Sequence, residues 1–112
     1  MSNDRELLEM AAKAAGIDIE PGYGHAGSPE SEMFFQDDQG FCQSWNPLTD
    51  DGDALRLAVK LEINILPSME ECSARNPGYS ASWHNELATT DPYAATRRAI
   101  VRAAAEMGRA MP

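Results

Sequence analysis

The chain has 112 residues, a length that favours one domain with a single core. Apolar residues make up 43% and charged residues 24% of the chain, a balance typical of a folded globular protein. The 18 acidic and 9 basic residues give a formal charge of −9, which argues against direct binding to the phosphate backbone of nucleic acid. Without a signal-peptide pattern or an apolar run of membrane-spanning length, the sequence predicts a cytoplasmic protein that does not enter a membrane.

The first predicted helix covers 4–15. Its apolar side chains recur at helical spacing, and Gly16 is placed to end it in the left-handed conformation. The stretch 18–31 then contains a high density of glycine and proline, which predicts a long exposed loop without regular structure. The segments 32–36 and 41–45 follow as a β-hairpin around Asp37-Asp38-Gln39-Gly40, and Trp45 at its end is expected to anchor the core.

A turn and a second helix follow Trp45. Pro47 favours the turn, Thr49 or Asp50 offers a capping oxygen, and the helix is predicted from about Asp51 to Glu62. The helix is apolar over more than half of its circumference, so we expect it to be largely covered and packed on a sheet. The residues that define this apolar surface are Leu55, Leu57, Ala58, Val59 and Leu61.

The remaining elements are a third strand, a second hairpin and a last helix. The strand covers 62–67 and the hairpin pairs 70–74 with 79–85, an alternation that turns Trp83 toward the core and His84 toward water or an edge. Asp91 as cap and Pro92 at the first position begin a helix that reaches Arg109. Its buried stripe is predicted to contain Tyr93, Thr96, Ile100, Ala103, Ala104 and Met107.

The order α-β-β-α-β-β-α predicts an α+β fold. Short links within each strand pair favour an antiparallel or mixed four-stranded sheet packed with helices, an α/β/α sandwich. We expect one domain over 1–112, with the loop at about 18–31 exposed. Edge strands in a chain of this size also favour self-association as a homodimer.

The candidate binding residues are Trp45, Asp50, Asp51, Asp53 and His84. The three aspartates crowd the first turn of the second helix, where favourable interaction with the helix dipole already explains them. They do not match a calcium loop, because Arg56 stands where that loop requires glycine. A zinc site would require four residues that are distant in sequence to converge, namely Cys42, Cys72, His25 and His84. The sequence therefore predicts no metal and no cofactor.

Catalytic and nucleic-acid motifs are weak. A cysteine nucleophile paired with His84 would need Cys42 or Cys72, yet both lie on strands where a small apolar side chain would serve equally well. The segment 22–27 imitates part of a dinucleotide-binding loop but lacks a preceding strand. The arginines of the last helix are spread around it and do not predict a continuous basic stripe; they are Arg97, Arg98, Arg102 and Arg109.

Two segments resemble a known family. The stretch 45–61, WNPLTDDGDALRLAVKL, and the stretch 91–105, DPYAATRRAIVRAAA, are similar to small proteins of tailed phages and prophages, with the phage ABA-sandwich domain as the nearest family. The resemblance implies a sheet between helical layers and expression inside an infected or lysogenic bacterium. It implies no catalytic residues.

Three functions follow from these observations. The first is a non-catalytic phage or prophage accessory protein that binds a host or phage macromolecule, most simply another protein. The second is an acidic DNA mimic that inhibits a host DNA-binding protein, because the carboxylates are concentrated in 1–86. The third is a small enzyme with a cleft near His84 and Asp50, which requires these groups to lie within hydrogen-bond reach.

Overall fold

The computed structural model describes residues 4–17, 20–21, 33–36, 42–77, 83–87 and 91–111. Its elements in chain order are α1 (Asp4–Ala15), β1 (Glu20–Pro21), β2 (Met33–Gln36), β3 (Cys42–Trp45), α2 (Asp51–Leu61), β4 (Asn64–Leu66), β5 (Glu71–Arg75), β6 (Trp83–Leu87) and α3 (Pro92–Arg109). The fold is α+β, as the sequence predicts. None of the helices formed by the described residues is both long and apolar enough to cross a bilayer.

The predicted four-stranded sheet is wrong. The strands of the described residues form two antiparallel sheets of three, with the orders β1-β2-β3 and β4-β5-β6. The first arises because Glu20–Pro21, inside the predicted irregular loop, pairs with Met33 and Phe34 of β2. The second arises because the strand after α2 joins the second hairpin, with Ile65 opposite Ala74. Hairpin patterns identified one pair of strands in each sheet, and β1 and β4 add the third strand that the prediction lacks.

The helix ends follow their local signals. Gly16 has a φ of +71° and ends α1, and Asp91 accepts hydrogen bonds from the backbone N–H groups of Tyr93 and Ala94 to begin α3. Asp50, rather than Thr49, caps α2. These predictions are confirmed because capping depends on residues adjacent in sequence.

Helix α3 lies at the centre of the molecule. It packs against α1, α2, β5 and β6, and its buried side chains occupy several of its faces. The close approach to α1 occurs at Gly108, where a Cβ atom would lie 1.9 Å from the carbonyl oxygen of Met10. Trp45 is buried in the same core, which confirms its predicted place. Tyr93, predicted as buried, is exposed at the N-terminal end of α3.

The prediction that α2 is largely covered is wrong. Ala54, Leu57 and Ala58 are buried, whereas Leu55 and Val59 on another face are 60% and 69% exposed. The helix packs on α3 rather than centrally on a sheet. One apolar face of α2 therefore has no cover from the described residues.

The orientation predicted for the second hairpin is inverted. Strand β6 begins at Trp83 and continues to Leu87, beyond the predicted end at residue 85; residues 78–82 lie outside the described part of the chain. His84 pairs opposite the buried Ala74 and faces α3, where it contacts Glu106. Trp83 lies on the other face, with the guanidinium carbon of Arg75 4.7 Å from its ring centroid.

Candidate functional site

Two of the three candidate aspartates stabilise the turn that begins α2. Asp50 accepts a hydrogen bond from the backbone N–H of Asp53 at 2.8 Å. Asp53 is 9% exposed and accepts from the backbone N–H of Asn46 at 3.0 Å and from Arg56 at 2.7 Å. These contacts use the carboxylates for capping and ion pairing, so they explain both residues without a ligand.

Asp51 joins α2 to α3 through Arg97. The Arg97 Nη1 donates to the Asp51 carboxylate at 2.5 Å, while its Nε donates to the backbone carbonyl of Leu48 at 2.8 Å. The Arg97 side chain is largely buried and Asp51 is exposed. The structure therefore brings all three candidate aspartates to one turn and binds that turn to the N-terminal half of α3.

The other two candidates lie elsewhere. Trp45 is 4% exposed within the core. His84 contacts Glu106, which is nine residues after Arg97 along α3, a distance of about 14 Å at helical rise. The structure therefore does not bring His84 and Asp50 together in one cleft.

No metal site is formed by the described residues, among which no three His, Cys, Asp or Glu side chains are grouped as ligands. The side chain of Cys42 and the whole of His25 lie outside the described part of the chain. Cys72 is buried, with its Sγ 3.3 Å from the carbonyl oxygen of Ser68 and 3.4 Å from that of Pro92. This thiol contacts backbone acceptors and is closed off from solvent.

A groove that the sequence did not predict lies between α2, the end of β4 and the start of α3. We call it the apolar groove; it has a volume of about 760 Å³, and most of its surface is apolar. It is lined by Asp51, Ala54, Leu55, Ile65, Pro67, Ser68, Met69, Pro92, Tyr93, Thr96, Arg97 and Ile100.

Large apolar side chains project at the mouth of the apolar groove. Leu55 is 60%, Tyr93 69% and Met69 80% exposed, and they come from the three segments that form its walls. Large exposed apolar side chains around one groove offer area that a partner can bury, and tyrosine and methionine are enriched in protein interfaces. These residues were missed as site residues because helical periodicity assigned Leu55 and Tyr93 to the core.

The polar groups of the apolar groove have internal partners. The Thr96 hydroxyl donates to the carbonyl of Pro92 at 2.8 Å, and the Ser68 hydroxyl accepts from the backbone N–H groups of Glu70 and Glu71 at 3.0 and 3.1 Å. Asp51 and Arg97 pair with each other. The lining is therefore suited to holding apolar groups, and its polar side chains form no nucleophile and base pair among the described residues.

The rim of the apolar groove is acidic. Six carboxylates lie in the groove or within two residues of its lining, against four cations, and each of these cations forms an ion pair. The carboxylates are Asp50, Asp51, Asp53, Glu70, Glu71 and Asp91, and the cations are Arg56, Arg97, Arg98 and Arg102. The groove thus combines an apolar floor with a negative surrounding potential.

Comparisons with protein-family models, with curated proteins and with solved structures find no match to this chain.

Proposed function

We propose that this chain is a non-catalytic accessory protein of a phage or prophage, acting in the bacterial cytoplasm, and that its apolar groove binds a segment of another protein. The observation that carries the proposal is the set of large apolar side chains exposed around the groove, above all Leu55, Met69 and Tyr93. Their burial by a partner would remove apolar area from water, the dominant favourable term in association. The resemblance of 45–61 and 91–105 to phage proteins supports the biological setting.

The charge of the rim defines the partner's chemistry. Carboxylates exceed guanidinium groups around the apolar groove, so a segment with apolar side chains flanked by lysine or arginine complements it. A second copy of this acidic chain would bring like charges together at the same rim. The charge therefore favours a basic partner over a homodimer formed groove to groove.

The shape of the apolar groove favours a macromolecule over a small molecule. Small-molecule sites bury most of the ligand surface, whereas this groove is open to solvent and continues onto exposed side chains. A partner that is larger than the groove can cover Leu55 and Tyr93 at the same time as it fills the space between them. This arrangement resembles a binding surface more closely than a closed cavity.

The ion pairs argue against DNA mimicry. A mimic would present unpaired carboxylates in a row, yet many carboxylates here contact an arginine or histidine of the same chain. These carboxylates are Asp4, Glu9, Asp50, Asp51, Asp53, Glu86 and Glu106. Binding that rests on apolar burial and a few rim charges also weakens less with salt than mimicry would.

The test begins with affinity capture from the bacterial lysate, followed by purification of the captured protein and measurement of its Kd. We expect Leu55→Lys and Tyr93→Lys each to raise the Kd about tenfold or more, because each introduces a charge where apolar burial is required. The matched control is Leu87→Lys, at a residue that is 72% exposed on β6 and outside the groove lining, which should change the Kd less than about threefold.

Two outcomes would contradict the proposal. Equal loss of affinity in Leu87→Lys and Leu55→Lys would place the contact outside the apolar groove. A partner that is a DNA-binding protein, insensitive to both substitutions and released steeply by salt, would support DNA mimicry instead. Sedimentation of the free protein at the same concentrations would show whether a second copy competes for the groove.

A further inference from the structure

The edge of β4 adjoins the apolar groove. In the sheet order β4-β5-β6, β4 is an outer strand, so among the described residues its backbone pairs with β5 on one side only. Outer strands present N–H and C=O groups that can pair with another chain. The side of β4 away from β5 is therefore a place where a partner backbone can bind.

The apolar groove borders β4 and not the other two strands of its sheet. Its described lining includes Ile65 of β4 and the residues that continue from it, Pro67 to Met69, but none from β5 or β6. The opposite wall is formed by α2, which contributes Asp51, Ala54 and Leu55. The groove thus lies between β4 and α2, next to the outer strand of the sheet.

The exposed face of α2 continues this wall. Leu55 and Val59 are four residues apart on one face of the helix, and both are more than half exposed. The chain turns sharply after α2 at Glu62, whose φ is +56°, and enters β4 through Ile63, whose N–H donates to the carbonyl of Ala58. Leu55 lines the apolar groove, and Val59 lies one helical turn beyond it on the same exposed face.

We propose that the partner segment binds as an extended strand along the free edge of β4, and this inference rests on the function proposed above. Backbone hydrogen bonds to Asn64–Leu66 set its direction, and alternate side chains enter the apolar groove. The side chains between them point to the opposite face of the sheet, and lysine or arginine at the ends of the segment meets the acidic rim. Pro67 has no N–H, so the backbone pairing is short and the apolar side chains carry most of the affinity.

The experiment uses synthetic peptides of about eight residues with the 112-residue chain. The first alternates isoleucine with lysine, and the second has the same composition with isoleucines at helical spacing. Two further peptides carry the alternating sequence with N-methyl groups on every second amide. One peptide is methylated at the odd positions and the other at the even positions, so that each can no longer donate hydrogen bonds from one edge of its strand. Affinity is measured by ¹H–¹⁵N chemical-shift titration, and hydrogen exchange is measured at the amides of Asn64, Ile65 and Leu66.

We expect the alternating peptide to bind about tenfold more tightly than the permuted one, because only it places every isoleucine on one face of a strand. N-methylation of the amides that face β4 should lower the affinity of the alternating peptide about tenfold. N-methylation of the amides that face away from β4 should leave the affinity within about threefold of the unmethylated peptide. Saturation with the alternating peptide should slow exchange about tenfold or more at one or more amides of β4.

The failures of the two proposals can be distinguished. If the alternating and permuted peptides bind equally and hydrogen exchange in β4 is unchanged, strand addition is wrong. If Leu55→Lys then abolishes the binding of both peptides, the proposed function of the apolar groove still stands. If no peptide binds in a manner that depends on Leu55, the proposed function is wrong and strand addition falls with it. Leu87→Lys remains the matched control for each titration.

Discussion

Helix α3 contacts α1 on one side and forms part of the apolar groove on another, and these two surfaces are built from different side chains. The α1 side is closed: Ala11 and Ala103 are fully buried, and Gly108 lies against the backbone of Met10. The groove side presents Tyr93 to solvent and faces the exposed Leu55 of α2. Small residues allow two helices to approach closely, whereas large apolar residues at an open groove retain area that a partner can bury.

The comparison separates residues that stabilise the fold from residues that are available for binding. Both surfaces are apolar, so hydropathy does not distinguish them. Substitutions on the α1 side should lower the free energy of unfolding, while substitutions of the exposed side chains of the apolar groove should leave it nearly unchanged and alter affinity. The predictions below test this separation, beginning with the largest expected effect.

Gly108→Ala should lower the free energy of unfolding by about 3 kcal/mol, because the added Cβ would meet the Met10 carbonyl oxygen and force α1 away from α3. Chemical denaturation monitored by circular dichroism measures this change. A variant with wild-type stability would show that the α1 side is less closely packed than the structure indicates.

Leu8→Ala should cost about 3 kcal/mol, because Leu8 is 1% exposed and its loss leaves a cavity in the core. The matched variant Leu55→Ala makes the same chemical change in the apolar groove and should alter stability by less than about 0.5 kcal/mol. Equal losses from the two variants in denaturant unfolding would contradict the distinction between the two surfaces.

Asp91→Ala should lower the free energy of unfolding by about 1 kcal/mol, because Asp91 caps the end of α3 that lies at the apolar groove. Asp91→Asn keeps a capping oxygen but removes the charge, so we expect it to stay within about 0.5 kcal/mol of the wild type. Thermal unfolding of the three proteins measures both effects. A large loss in Asp91→Asn would mean that charge, rather than capping, stabilises this end.

Gly52→Ala is the smallest change and provides the control for Gly108. Its Cβ would lie 3.2 Å from the guanidinium of Arg56, the end of a flexible side chain, and 3.2 Å from the Asp50 oxygen that caps α2, while alanine favours the helix. We expect the free energy of unfolding to rise by up to about 0.5 kcal/mol. A marked fall in the free energy of unfolding would contradict this expectation and would indicate that the Asp50–Arg56 contacts at the start of α2 are rigid.

Local signals made the helices predictable. Gly16, Asp50 and the Asp91-Pro92 pair determine where helices end or begin through contacts with residues next to them in sequence. The two hairpins of adjacent strands were predictable for the same reason. The division into two sheets was not predicted, because Glu20 pairs with Phe34 from inside the predicted irregular loop, and because the strand before Pro67 was not assigned to a hairpin although Ile65 pairs with Ala74 across a short connection.

The apolar groove could not be predicted from periodicity. The spacing of Leu55, Val59 and Tyr93 places them on apolar faces, but spacing does not state whether another element covers that face. The same limit explains the inverted hairpin: alternation separates Trp83 from His84 without indicating which face meets α3. The predicted cluster of Asp50, Asp51 and Asp53 is present, yet its contacts are explained by capping and by ion pairs with Arg56 and Arg97.

The most direct test of the account combines two values for Leu55→Lys: its free energy of unfolding and the Kd of the purified partner. We expect stability within about 0.5 kcal/mol of the wild type and a Kd raised about tenfold or more, because Leu55 is exposed at a binding groove. Loss of about 2 kcal/mol or more in stability would show that Leu55 belongs to the core. An unchanged Kd would show that the apolar groove does not bind the partner.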